Sequence, residues 1–109
     1  MANKYFRKYV IPAAATETTI YSVPDANTAI VRSLRVTNAG AVTSNITVTL
    51  YALGVTPNIL QKARALAVNN TYDVFSGVPC VLEAGDVLKV TSSAANVNFF
   101  LSYLETDRS

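Results

Sequence analysis

Seven aspartates and glutamates, nine lysines and arginines, one cysteine and no histidine are the ionisable groups with which this 109-residue chain could do chemistry. Without histidine it lacks the side chain that most often serves as general base and metal ligand. Glu83 and Asp86 stand on either side of Ala84-Gly85, but two carboxylates on a turn supply only a small part of the oxygen shell that calcium requires. The pattern reads instead as a solvated turn in which Gly85 takes a positive φ. Asp25 and Asp73 also fall at turns, where a carboxylate accepts hydrogen bonds from nearby backbone N–H groups. Cys80 has no imidazole to activate it as a nucleophile. As the single cysteine, it forms no internal disulfide and no cysteine-based metal site, and after Pro79 it reads as a small buried hydrophobe. The four glycines are scattered, so no loop is built to cradle phosphate. The sequence therefore predicts no enzyme, no catalytic residues, no cofactor and no metal.

The remaining chemistry is that of surfaces. Six tyrosines outnumber four phenylalanines, and tryptophan is absent. Tyrosine with arginine is the pairing enriched at protein interfaces, and tyrosine also stacks on sugar rings. The plainer reading makes these tyrosines cross-strand fillers with their hydroxyls in water. The opening stretch Tyr5, Phe6, Arg7, Lys8, Tyr9 mixes aromatic and basic residues as a docking arm would; an edge strand carrying protective charge is the alternative. Arg32 interrupts an apolar parity that would otherwise run through Ile30, Leu34 and Val36, which points to a bulge, an edge, or a charge reaching into an interface. Arg35 lies on the opposite parity. These seven residues are the predicted contact set.

Composition bounds the setting. Half of the residues are hydrophobic, only 15% are charged, and the mean hydropathy is +0.27. That surplus of apolar residues suits an interface between subunits or with a larger assembly; an ordinary core under a Thr/Ala/Asn-rich exterior is the alternative. No stretch approaches the ~20 apolar residues that span a bilayer, and no apolar run before Pro12 suggests a secretory signal. A net charge of +2 is too small to argue for nucleic-acid binding. Asn45-Ile46-Thr47 and Asn69-Asn70-Thr71 match the glycosylation sequon, which carries no information without export.

These residues must be positioned by strands. From Thr18 to Tyr51 the chain alternates β-favouring runs with turn residues: Pro24-Asp25-Ala26-Asn27 stops one strand and Asn38-Ala39-Gly40 the next. Ile46, Val48 and Leu50 alternate with Thr47, Thr49 and Tyr51, the period of a strand with one buried face. Leu88 and Val90 share a face, as do Phe99, Leu101 and Tyr103, with Phe100 covered from the other side. Gly54 with Pro57-Asn58 is expected to close the strand that begins at Asn45. The segment 59–68 has helix-favouring composition between strand-turn flanks and is read as a strand or irregular crossing. About eight short strands predict an all-β, single-domain antiparallel β-sandwich or jelly roll. Its expected organisation is an arm or first strand over 1–12, the sandwich over 13–104, and a polar tail over 105–109.

Three stretches, ETTIYSVPDANTAIVRSLRVTN, SNITVTLYALG and VLEAGDVLKVTSS, followed by a hydrophobic last strand, resemble a family of small β-sandwich virion structural proteins of tailed bacteriophages. They cover about two thirds of the chain and carry no catalytic signature. The resemblance implies a building block made in the host cytoplasm and placed on the virion. On the capsid surface it would be a decoration, or cement, protein, binding across major capsid subunits as a homo-oligomer, with a trimer favoured. In the tail, baseplate or a fibre it would be a structural module able to contact host glycans. Its implied partners are the major capsid protein or other virion proteins, not nucleic acid or membrane.

Overall fold

A computed structural model describes residues 3–76 and 78–107. Among them there are nine strands and no helix: β1 (Asn3–Val10), β2 (Thr18–Ser22), β3 (Asn27–Asn38), β4 (Ser44–Ala52), β5 (Thr56–Leu66), β6 (Thr71–Asp73), β7 (Cys80–Leu82), β8 (Val87–Ser92) and β9 (Val97–Asp107). They form two antiparallel sheets. One runs β1-β9-β3-β6, with β7 also on β3, and the other runs β2-β8-β4-β5. The sheets face each other as a sandwich, and their inner faces supply the core. Val31, Leu34, Val36, Phe99 and Leu101 come from the first sheet, and Ile46, Val48, Leu88 and Val90 from the second; all nine are fully buried. Burying such side chains is worth roughly 1.5–3 kcal/mol each.

The alternations expected in β8 and β9 are present, with Leu88 and Val90, and Phe99, Leu101 and Tyr103, pointing inward; in β4 Ile46 and Val48 are buried as expected, but Leu50 is only partly buried and Thr49, on the opposite parity, is buried. The expected parity of β3 is not. Ala29 and Val31 are buried, then Leu34, Val36 and Asn38, whereas Ile30 turns outward. The cause is a bulge: against β9, the register shifts between Val31 and Ser33 and leaves Arg32 as the extra residue. One such residue reverses the parity of everything after it.

The segment 59–68 falls largely in β5, an exposed edge strand with two irregularities in its pairing to β4. At the second, Ala63 adopts φ 49° and donates its N–H to Thr47 Oγ1 at 3.1 Å. Two bulges and no second neighbour erase the period-2 signal, and pairing with β4 overrides the helical propensity of Ala, Lys and Gln. Pro57-Asn58 does not close β4. The turn lies earlier, at Leu53-Gly54, and β5 begins at Thr56, with Pro57 opposite Tyr51. At the other end of the chain, Glu105–Asp107, placed in the tail by the sequence, continue β9; 108–109 lie outside the described residues.

Asp86 is not solvated. Its buried carboxylate accepts N–H bonds from Leu53 at 3.0 Å and Glu83 at 2.9 Å, tying the β4–β5 turn to the β7–β8 turn. Gly85, at φ 85°, supplies the left-handed residue that this turn needs. At the opposite end Asn38, also buried, ties the end of β5 to the loop after β3.

Candidate interaction surface

β1 is an edge strand that pairs antiparallel with β9 along its whole length. The register decides which of its side chains share a face. Tyr5 lies opposite Leu104, Arg7 opposite Ser102 and Tyr9 opposite Phe100; Phe6, Lys8 and Val10 lie opposite the inward-facing Tyr103, Leu101 and Phe99. Across β9, the neighbours on β3 are Ile30 beside Leu104, Ser33 beside Ser102, and Arg35 beside Phe100. Tyr5, Arg7, Tyr9 and Arg35 therefore stand on the outer face of the five-stranded sheet, and the bulge places Arg32 beside them. Phe6 and Lys8 belong to the inner parity, where Phe6 stacks on Tyr103 with ring centroids 5.7 Å apart. Of the seven residues predicted from sequence, five share the outer face, while Phe6 and Lys8 take the inner parity, Phe6 still bordering a groove with Tyr5, Arg7 and Arg32. Tyr5 and Tyr9 are 73% and 74% exposed.

Apolar side chains that the sequence reading did not assign to a contact surface complete the face: Ile30, Leu104, Phe100 and Val81, the last opposite Ile30 on β7. The alternation of Phe100 and Leu104 against Phe99, Leu101 and Tyr103 is visible in the sequence, but which strands flank them is not. Two grooves cut the face. One, of about 390 Å³, is lined by Tyr5, Phe6, Arg7, Arg32, Ser102 and Tyr103. The other, of about 400 Å³, is lined by Arg7, Tyr9, Val10, Ile11, Asn98, Phe99 and Phe100. Among the described residues, no hydrogen bond, ion pair or ring contact engages the guanidinium of Arg7, Arg32 or Arg35. Asp73, opposite Arg35 in the register, uses its Oδ1 to accept from the N–H groups of Leu34 and Phe75.

The other polar groups are engaged in holding the sandwich together. Glu105 accepts from Tyr21 Oη at 2.5 Å and from Asn27 Nδ2 at 3.2 Å, linking β9 to β2 and β3. Burial, then the hydrogen bond to Glu105, pushes the Tyr21 hydroxyl far above the ordinary phenol range. Tyr103 is raised too, by burial and then by the charge of Glu105. Tyr51 donates to the Glu17 carboxylate and lies under the Lys89 ammonium, 4.7 Å from its ring centroid. Among the described residues, no group of three or more acidic or cysteine side chains could hold a metal ion.

Cys80 is partly buried against the core, not fully buried. Burial, then the Asp86 charge, raises its thiol pKa. Thiolate is the reactive form, so Cys80 is expected to react with a disulfide reagent at pH 8 at least about tenfold more slowly in the folded chain than in urea. Equal rates would show the thiol to be open. For Cys80, Tyr21 and Tyr103 alike, a raised folded-state pKa means that their contribution to stability is complete below the unfolded-state pKa. That contribution is lost as pH rises through the alkaline range.

No family model matches the chain, and no curated protein matches it. Solved structures do. A chain of the Bacillus endospore appendages, a family of disulfide-linked pili, is 17% identical with a TM-score of 0.61, over 99% of this chain and 88% of that one. A chain of the T13 particle of the virus IBDV is 9% identical with a TM-score of 0.58, over 94% of this chain. A chain from the Gx strain of infectious bursal disease virus is 11% identical with a TM-score of 0.55, over 96% of this chain. This chain spans only 30% of the length of either viral chain. At these identities, the common ground is the fold: a two-sheet β-sandwich that is used both in a pilus and in viral particles.

Proposed function

We propose that the chain is a structural protein of a tailed-phage virion, a capsid decoration protein that binds across major capsid subunits and stabilises the shell. The observation that carries this reading is the outer face of the five-stranded sheet, where Tyr5, Arg7, Tyr9, Arg32 and Arg35 stand together, with Arg7 and Tyr9 lining grooves and the three guanidiniums unengaged among the described residues. The sequence resemblance to small phage virion proteins supports it, and the likeness of fold to chains of viral particles agrees with it. The mechanism is thermodynamic. A protein that binds the assembled shell but not its free subunits stabilises the shell by mass action, and a trimer engaging several subunits at once multiplies the effect without any single strong contact.

Cryo-electron microscopy of the whole virion tests this. Many copies over the capsid lattice, with β1, β9 and β3 turned toward the capsid subunits, are the expected result. Density confined to the tail or its tip would overturn the decoration reading in favour of a tail or fibre module, for which the exposed Tyr5 and Tyr9 would be the place to look for host glycans.

A further inference from the structure

We infer that the outer face recognises a carboxylate: an extended acidic segment of the partner protein, with one aspartate or glutamate seated over Ser102 between Arg7 and Arg32. This deepens the capsid-binding reading and rests on it. Arg7 and Ser102 are directly paired across β1 and β9, and Ser102 is paired with Ser33, the residue after Arg32, across β9 and β3. The two arginines therefore flank the central strand with backbones roughly 10 Å apart, two strand spacings. That separation allows two long side chains to converge on one oxyanion above a serine hydroxyl, and the same three residues line a single groove. Planar guanidinium groups pair bidentately with carboxylates. Neither arginine has a partner among the described residues, and the carboxylate opposite Arg35, that of Asp73, turns its Oδ1 to the backbone N–H groups of Leu34 and Phe75.

The adjoining groove determines what flanks the acid. It shares Arg7 but is otherwise formed largely by Tyr9, Val10, Ile11 and Phe100, so it suits an apolar side chain. Tyr5, Arg7 and Tyr9 follow one another at the two-residue period of a strand face, about 6.8 Å apart. An extended segment with an acid and an apolar residue two positions apart matches that spacing. A nucleic acid fits less well: three cations beside an apolar groove do not make the continuous track that a phosphate backbone needs.

The test uses the full chain in solution and no particles, so its failure would leave the capsid location standing, and misplacement on the virion would leave it untouched. The probes are capped eight-residue peptides alternating leucine with glutamate, the same peptides with glutamine, and a single-stranded oligonucleotide, each titrated while the arginine Nε–H and Ser102 amide resonances are followed by NMR. The glutamate peptide is expected to shift the Arg7, Arg32 and Ser102 signals and to bind at least about tenfold more tightly than its glutamine counterpart. Arg7→Gln with Arg32→Gln, both exposed positions, should abolish the shifts with the remaining spectrum intact, while Lys62→Gln, on exposed β5, should not. Equal binding of the glutamine peptide, stronger binding of the oligonucleotide, or shifts centred elsewhere would overturn the inference. Concentration-dependent shifts of the same signals in the chain alone would also overturn it, by making the occupant a second copy.

Discussion

Asn38→Ala is expected to cost about 3–5 kcal/mol of folding stability, a large share of the roughly 5–15 kcal/mol that holds a domain together. Asn38 is fully buried. Its Nδ2 donates to the carbonyls of Val42 and Leu66, both at 2.9 Å, and its Oδ1 accepts from Gly40 N–H at 3.0 Å. Its own N–H and carbonyl bond to Asn70 and Asn69. Alanine keeps the main-chain bonds but strands three polar groups, each worth about 1–3 kcal/mol when left unsatisfied. Gly40 makes the arrangement tight: a Cβ there would lie 3.0 Å from the Ala95 carbonyl and 3.3 Å from Asn38 Oδ1. In urea, the midpoint should fall by about 2 M with the slope unchanged. A loss under 1 kcal/mol would mean that water replaces the side chain without penalty.

Tyr5→Ala together with Tyr9→Ala should weaken binding to capsids that lack this protein by about 100-fold or more, at nearly unchanged stability. The two rings are exposed in the free chain and stand on either side of Arg7 on one face of β1. Aromatic anchors beside arginine are the residues whose truncation typically costs 2 kcal/mol or more each at an interface. Co-sedimentation with capsids reads the loss, and thermal melts check the fold. Substitution is a cleaner test than deletion of residues 1–11, because β1 is hydrogen-bonded along its whole length and its removal would bare the edge of β9. Tight binding by the double variant would move the capsid contact off this face.

How much of this was legible in the sequence depended on how far each strand obeys its own period. β8 and the inner side of β9 alternate cleanly, and their buried residues could be read directly; β4 does so only as far as Val48, after which Thr49 is buried and Leu50 partly so. β3 could not be read through Arg32, because a bulge is a property of pairing with β9 and not of the strand alone. β5 lost its signal to two bulges and an unshared edge. Asn38 and Asp86 looked like punctuation because their residue types favour turns; that they are buried staples depends on Leu66 and Leu53, far away in the chain. The residues of the outer face were individually visible as aromatic and basic side chains. Only the register could separate Tyr5, Arg7 and Tyr9 from Phe6 and Lys8.

The bulge also bears on how such a surface could arise. Without Arg32, the inward positions of β3 would run Ala29, Val31, Leu34, Val36 in unbroken alternation, since Ser33 would then follow Val31 directly. Arg32 thus amounts to a one-codon insertion that adds a guanidinium to the outer face while leaving every core side chain in place. A surface cation of this kind can be gained or discarded in a single length change that keeps the inward order of the strand.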